Sequence, residues 1–135
     1  MYMFNIDHYA ISISNTERSI EFYKKLDFTV VKDWEADDKS LRIVHMMNGA
    51  FILEMFCYTE SGALPEFSQN LNSDLKVKGS KHFGLWVDDL ELVADYLISV
   101  GILQDKPIIS QGRLGRPYFF IKDPDGIFVE IISKR

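Results

Sequence analysis

The feature that most constrains the fold of this 135-residue chain is a short phrase that occurs twice. Residues 7–15 read DHYAISISN and residues 81–89 read KHFGLWVDD. Each phrase holds a histidine, an aromatic residue, a small residue and an apolar run that leads into a polar helix start. Each is followed by the pattern of a helix and three strands. A long period that occurs only twice predicts a duplicated α+β domain with pseudo-twofold symmetry, and not a solenoid.

The first half is divided into elements by alternating hydrophobicity and by turn residues. A capping-box spacing from Ser14 to Glu17 predicts the start of a helix, and Asn48-Gly49 predicts a hairpin. The predicted strands are residues 4–13, 28–34, 41–47 and 51–58.

The second half repeats this order after a polar stretch, residues 59–79, which is predicted to be a linker that could hold a helical turn at about 64–75. A cap at Asp88-Asp89 predicts a second helix that ends at Gly101. Its predicted apolar face consists of Leu92, Val93, Tyr96, Leu97 and Val100. The predicted strands are residues 81–87, 102–109, 117–121 and 127–133. We therefore predict one domain over residues 1–135, with modules at about 4–58 and 80–133.

Composition excludes several classes of protein. A net charge of −5 argues against nucleic-acid and anionic-membrane partners, and no segment is long and apolar enough to span a membrane. The single cysteine, Cys57, excludes an internal disulfide, and the N-terminus lacks the pattern of a signal peptide. We expect a cytoplasmic protein.

Two histidines and two glutamates occupy matching places in the two halves. His8 and His82 lie in the first predicted strand of each half, and Glu54 and Glu130 lie in the last. The separation between histidine and glutamate is 46 residues in one half and 48 in the other. A glutamate among apolar neighbours costs free energy unless it is paired or bound to a cation.

The residues near these four favour a metal site. Ala10 and Gly84 lie two positions after the histidines and would leave room beside each ring. Two imidazoles and two carboxylates suit a borderline divalent cation such as Ni²⁺, Co²⁺, Fe²⁺, Mn²⁺ or Zn²⁺. His45 has no counterpart in the other half and is interpreted as structural.

Longer motifs carry a family resemblance over nearly the whole chain. They are SIEFYKKLDF (19–28), FILEMF (51–56), KHFGLWVDDLE (81–91) and, most specifically, FFIKDPDGIFVEII (119–132). With His8, they resemble the vicinal oxygen chelate superfamily, also called the glyoxalase, bleomycin-resistance and extradiol-dioxygenase superfamily. The resemblance implies two βαβββ modules that form a cupped mixed sheet around a metal ion.

The resemblance is greatest to glyoxalase I (lactoylglutathione lyase), which uses four protein ligands at these positions. His8, Glu54, His82 and Glu130 would supply them to nickel, cobalt or zinc. Extradiol dioxygenases and thiol-transferring fosfomycin-resistance enzymes use two histidines and one glutamate, and a dioxygenase would hold iron or manganese. Methylmalonyl-CoA epimerase usually has glutamine in place of Glu54, and drug-binding members generally lack the ligands.

For glyoxalase-like enzymes the resemblance implies proton transfer through a metal-bound enediolate of a small oxo-substrate or its thiol adduct. Glu130 would be the principal base and Glu54 a ligand that shares in the shuttle, although these roles could be reversed. Arg116 matches a position where the family often places a basic residue to hold substrate carboxylates, and Lys25 matches another such position loosely. Arg113 and Lys122 are nearby alternatives. A homodimer is also implied, with each site built within one chain or shared between two.

Overall fold

The computed structural model describes residues 3–135, and Met1 and Tyr2 of the predicted domain range 1–135 lie outside the described residues. The chain divides into two compact units, the first ending at Ala63 and the second beginning at Leu64. They are called the first unit and the second unit below. The predicted modules at about 4–58 and 80–133, and the single domain that they form, stay predictions.

The first unit is a βαβββ arrangement, and its sheet has the order β1-β4-β3-β2. Strands β1 and β4 are parallel, whereas β3 is antiparallel to both β2 and β4. The positive φ of Gly49, +57°, allows the predicted hairpin between β3 and β4. The elements are β1 (His8–Ser12), α1 (Thr16–Lys24), β2 (Thr29–Glu35), β3 (Leu41–Asn48) and β4 (Phe51–Tyr58).

Because side chains alternate along β4, one face of the strand carries buried core residues and the other carries Glu54. Leu53 and Met55 are fully buried, as is Tyr23 of α1. Glu54 lies between the two buried residues, so its side chain points to the opposite face of the sheet, where it is only partly exposed.

The second unit repeats the arrangement after two short helices. Its sheet has the order β5-β8-β7-β6, with β5 parallel to β8 and the other pairs antiparallel. The elements are a 3₁₀ helix (Glu66–Gln69), α2 (Leu71–Lys76), β5 (Phe83–Val87), α3 (Leu90–Ser99), β6 (Ser110–Gln111), β7 (Pro117–Lys122) and β8 (Phe128–Ser133). The helical segments lie in the stretch predicted to be a linker.

Strand β8 has the same two faces as β4. Val129 and Ile131 are buried, and Glu130 points to the other face. The turn before β8 is closed by Asp123, whose carboxylate accepts hydrogen bonds of 2.9 Å from the backbone N–H groups of Asp125 and Ile127. This network positions the start of the strand that carries Glu130.

The strand predicted at residues 102–109 is wrong. The N–H groups of Ile102 and Leu103 bind the carbonyl of Leu97 and so complete the end of α3. Pro107 has no N–H to donate to a ladder, and Ile108 is 89% exposed. Pairing with β7 is limited to Ser110 and Gln111.

Details of both helices also differ from prediction. Helix α1 is capped by Asn15, whose side chain accepts a 2.9 Å hydrogen bond from the N–H of Arg18, and not by Ser14. The buried face of α3 consists of Leu90, Ala94 and Leu97, whereas Leu92 is 67% and Tyr96 44% exposed. The predicted cap at Asp89 is confirmed by a 3.0 Å bond from Leu92 N–H.

The α+β class and the repeated βαβββ order are confirmed by the two four-stranded sheets. Within residues 3–135, no helix has the length and apolar character needed to cross a bilayer.

Candidate functional site

In the first unit, His8 and Glu54 approach each other on one face of the sheet. His8 begins β1, and Ala10 is paired with Glu54 in the parallel register between β1 and β4. Paired residues point to the same face, and His8 lies two positions from Ala10, so both side chains share that face. The distance from His8 Nε2 to Glu54 Oε1 is 3.4 Å.

In the second unit, His82 and Glu130 repeat this arrangement. His82 immediately precedes β5, and Gly84 is paired with Glu130. The distance from His82 Nε2 to Glu130 Oε2 is 3.3 Å. A Cβ atom added at Gly84 would lie 3.7 Å from Glu130 Oε2, so the glycine leaves space beside the carboxylate.

Both pairs fit the ligand chemistry of a divalent metal ion. Distances of 3.3 and 3.4 Å exceed the usual N–H···O distance of about 2.7–3.2 Å. Two ligand atoms about 2.1 Å from one ion are roughly 3.0–3.4 Å apart. The exposed side-chain fraction is only 18% for Glu54 and 22% for Glu130, so each carboxylate is largely removed from water.

Each unit supplies two of the four predicted ligands. Within residues 3–135, no group of three or more His, Cys, Asp and Glu side chains has an arrangement that would hold a metal ion. His8 and Glu54 are brought together in one unit, and His82 and Glu130 in the other. Binding of one ion by all four stays a prediction.

The ring of His8 is oriented by its neighbour in sequence. His8 Nδ1 lies 2.7 Å from Asp7 Oδ2. Because an ionised carboxylate only accepts hydrogen bonds, Nδ1 carries the hydrogen, and in the neutral ring Nε2 then presents its lone pair. Carboxylates commonly orient metal-ligating histidines in this way. The hydrogen bond to Asp7 is also the main cause of a pKa of His8 above its ordinary value of 6.5.

His82 has different surroundings. Its Nδ1 atom is buried and has no hydrogen-bond partner among residues 3–135. The preceding residue is Lys81, which donates to the carbonyl of Asp74. The ring packs edge-to-face on Phe120, with centroids 4.8 Å apart. Aromatic packing therefore takes the place of the carboxylate in orienting this imidazole.

His45 belongs to the site, although the sequence led us to interpret it as structural. It is paired with Glu54 in the β3–β4 hairpin, and its Nε2 lies 2.6 Å from Glu54 Oε2. The Asn48-Gly49 signal contained this information. If Asn48 and Phe51 flank the turn, counting back along an antiparallel ladder pairs residue 45 with residue 54.

A large cavity in the second unit contains His82 and Glu130. Its volume is about 1010 Å³. Aromatic rings and arginines line it, namely Tyr118, Phe120, Arg113, Arg116 and Arg135. Arg116 donates from Nε and Nη2 to the carbonyl of Ser133, and its predicted role in binding a substrate carboxylate stays a prediction. Lys25 is the exposed C-cap residue of α1.

Comparison with known proteins identifies a family for this chain. The profile of the Glyoxalase/Bleomycin resistance protein/Dioxygenase superfamily matches residues 5–131. Among curated proteins, none matches the sequence. A glyoxalase family protein from Enterococcus faecalis is 26% identical, with a TM-score of 0.79 over 98% of this chain and 99% of that one.

Two other solved structures share the fold at lower identity. The trypanothione-dependent glyoxalase I of Leishmania major is 19% identical, with a TM-score of 0.69 over 96% of this chain and 86% of its own. A bleomycin-binding protein in complex with bleomycin is 18% identical, with a TM-score of 0.63 over 98% and 100% of the two chains. An enzyme and a drug-binding protein are thus both similar to this chain.

The duplicated βαβββ order, the repeated His–Glu pair and the profile match lead to one conclusion. The chain belongs to the Glyoxalase/Bleomycin resistance protein/Dioxygenase superfamily.

Proposed function

We propose that the protein is a metal-dependent lyase or isomerase of the glyoxalase I type. The observation that carries this proposal is the repeated His–Glu pair, whose N···O distance is 3.4 Å in one unit and 3.3 Å in the other. A duplicated fold that keeps the same pair in both copies favours a shared chemical task over two unrelated structural contacts.

In this proposal His8, Glu54, His82 and Glu130 bind one divalent ion of nickel, cobalt or zinc. When bound, the ion supplies Lewis-acid polarisation of a substrate carbonyl. Glu130 takes the proton from the carbon next to that carbonyl and returns it to the carbonyl carbon. Glu54 stays with the ion and assists this transfer. Both carboxylates are largely shielded from water, which strengthens their interactions with charge.

The substrate that we propose is a small oxo-compound or its adduct with a thiol. The cavity of about 1010 Å³ beside His82 and Glu130 has room for more than a small aldehyde alone. Arg113, Arg116 and Arg135 line it, so an anionic group on the thiol part would find positive charge there. A role of Lys25 in substrate binding is proposed only from the family resemblance.

The test is metal titration followed by turnover. Purified protein freed of metal is titrated calorimetrically with Ni²⁺, Co²⁺ and Zn²⁺, and each form is assayed with methylglyoxal and a thiol. We expect stoichiometric binding and conversion of the hemithioacetal. Glu130→Gln should lower kcat by about 10²- to 10⁴-fold, the usual contribution of a general base.

The matched control is Glu60→Gln, which removes an exposed carboxylate from a loop. It should leave binding and turnover unchanged. Wild-type protein that binds none of the three ions would contradict the proposal. Oxygen uptake with a catechol and Fe²⁺ or Mn²⁺ would favour the alternative, an extradiol-type dioxygenase, which would leave Glu54 without a ligand role.

A non-catalytic drug-binding or resistance protein is a second candidate, favoured by the size and aromatic lining of the same cavity. It predicts that an aromatic drug raises the Tm of metal-free protein, and that no thiol adduct is converted with any of the three ions.

Two further properties are proposed from the family resemblance. A homodimer would give twice the monomer mass of 15.6 kDa in light scattering. A cytoplasmic location would be seen by fractionation of cells that express the chain.

A further inference from the structure

The two glutamates face different residues across their hairpins. Glu54 on β4 is paired with His45 on β3. Glu130 on β8 is paired with Phe120 on β7. These positions correspond in the two units, because each lies opposite the glutamate in the antiparallel ladder. A side chain that donates a hydrogen bond in one unit is therefore replaced by one that does not in the other.

His45 restrains Glu54 by a direct hydrogen bond. The distance of 2.6 Å joins Nε2 to Oε2, and the side chains are 24% and 18% exposed. Since an ionised carboxylate only accepts hydrogen bonds, Nε2 of His45 carries the hydrogen and has no lone pair for a metal ion. Oε2 of Glu54 is thereby held by His45, while Oε1 faces His8 Nε2.

Glu130 has no such restraint. Among residues 3–135, no hydrogen bond is donated to its carboxylate, and its nearest ionic neighbour is His82 Nε2 at 3.3 Å. The ring of Phe120 packs on His82 and on Phe128, with centroids 4.8 and 5.9 Å away. The phenyl ring supports the imidazole and offers the carboxylate no hydrogen-bond donor.

We propose that His45 is a positioning residue that holds Glu54 in its ligating orientation, so that Glu130 is the displaceable carboxylate and the base. This inference rests on the proposed function and assigns different roles to the two glutamates of an otherwise symmetric set. Removal of a residue that orients a metal ligand commonly weakens metal affinity by about 10- to 100-fold.

The experiment compares three proteins in calorimetric titrations with Ni²⁺ and in absorption spectra with Co²⁺. They are wild type, His45→Phe and His45→Gln. Phenylalanine is the residue that the second unit uses at this place, and it cannot donate. The amide nitrogen of glutamine reaches about as far as Nε2 and can donate to Glu54. We expect His45→Phe to bind Ni²⁺ about 10- to 100-fold more weakly with a changed Co²⁺ spectrum, and His45→Gln to restore both.

A reciprocal variant tests the other half of the inference. Phe120→His places an imidazole opposite Glu130 and should tether that carboxylate as His45 tethers Glu54. With Ni²⁺ at saturation, we expect kcat to fall at least tenfold. An unchanged kcat would overturn the assignment of Glu130 as the displaceable carboxylate.

The outcomes separate this inference from the proposed function. If wild type binds Ni²⁺ and His45→Phe binds it equally with the same Co²⁺ spectrum, the positioning role is overturned and the proposed function stands. If wild type binds no ion, the proposed function fails. The positioning role then fails with it. In that case ¹⁵N NMR of the metal-free histidines reports only the contact itself, since a fixed Nε2–H tautomer of His45 shows the hydrogen bond to Glu54 and exchange between tautomers shows that it is absent.

Discussion

The first and second units share a strand order and a His–Glu pair, but different kinds of side chain surround the two pairs. In the first unit, polar groups flank the pair, Asp7 at 2.7 Å from one imidazole and His45 at 2.6 Å from the carboxylate. In the second unit, the equivalent places hold Lys81 and Phe120, and the imidazole is supported by an aromatic ring.

This difference shows what a duplicated fold keeps and what it varies. The strand register keeps the pair, because Ala10 and Gly84 each lie opposite a glutamate in a parallel ladder. The flanking positions tolerate either a hydrogen bond or an aromatic contact. Two carboxylates of one type can therefore differ in the hydrogen bonds that they accept.

The largest expected effect comes from removing the aromatic support in the second unit. Phe120 contacts the rings of His82, Tyr118 and Phe128 at 4.8–5.9 Å. Phe120→Ala should lower the free energy of unfolding by about 2–3 kcal/mol, since it removes a partly buried aromatic ring. Urea denaturation measures this change. His45→Ala, at the matching place, should cost only about 1 kcal/mol, the usual value of a hydrogen bond; equal losses would contradict the comparison.

The two glutamates should respond with opposite sign to neutralisation in metal-free protein at pH 8. Glu130→Gln removes a shielded charge that accepts no hydrogen bond within the described chain, and should raise the free energy of unfolding by about 0.5–1 kcal/mol. Glu54→Gln weakens the charge-assisted bond from His45 and should lower it by about 1 kcal/mol. Changes of the same sign in thermal unfolding would show that the two carboxylates are equivalent.

Much of this architecture was predictable because it follows from local patterns. The apolar run at residues 51–58 predicted a strand, which β4 confirms, and the alternation of a strand accounts for the burial of Leu53 and Met55 opposite Glu54. The cap at Asp89 and the Asn48-Gly49 hairpin depend on short-range turn chemistry, which a sequence states directly.

The remaining features depend on tertiary contacts. Residues 102–109 are apolar enough for a strand, but Ile102 and Leu103 use their N–H groups to close a helix. The exposure of Leu92 depends on which side of α3 meets the sheet. His45 resembled an ordinary strand histidine until the register put it opposite Glu54. Comparison of the two halves drew attention to matching residues, so a residue present in only one half was undervalued.

A smaller effect is expected from an ionic cluster of the first unit. Arg42 lies three positions before His45 on β3 and donates to Asp33 at 2.9 and 2.7 Å. These hydrogen bonds hold the pKa of Asp33 below its ordinary value of 3.8. They therefore stabilise the folded state above pH 3.8, and this stabilisation is lost as the pH falls through the lower pKa that Asp33 has in the folded protein. Pro117, three positions before Phe120 on β7, can form no such cluster.

Arg42→Met should therefore raise the pKa of Asp33 toward 3.8 in an NMR titration. Because Asp33 is 40% exposed, solvent screening should keep the stability loss at neutral pH below about 1 kcal/mol. The loss should disappear in strong acid, where the carboxylate is protonated in both proteins. Arg113→Met, in the second unit, is the control and should leave this pKa unchanged.

The smallest effect should come from making the two ladders alike at the position opposite the glutamate. Gly84→Ala gives the second unit the residue that the first has at Ala10, and the added Cβ would meet Glu130 at an ordinary contact distance of 3.7 Å. Alanine also reduces the freedom of the unfolded chain, so stability should change by less than about 1 kcal/mol, in the stabilising direction. If the proposed metal site is correct, Ni²⁺ affinity should stay within about threefold, since the first His–Glu pair already has alanine at this place. A loss of Ni²⁺ affinity in calorimetry would show that the Glu130 carboxylate needs the space that glycine leaves. The placement of Glu130 would then depend on Gly84 as well as on Phe120.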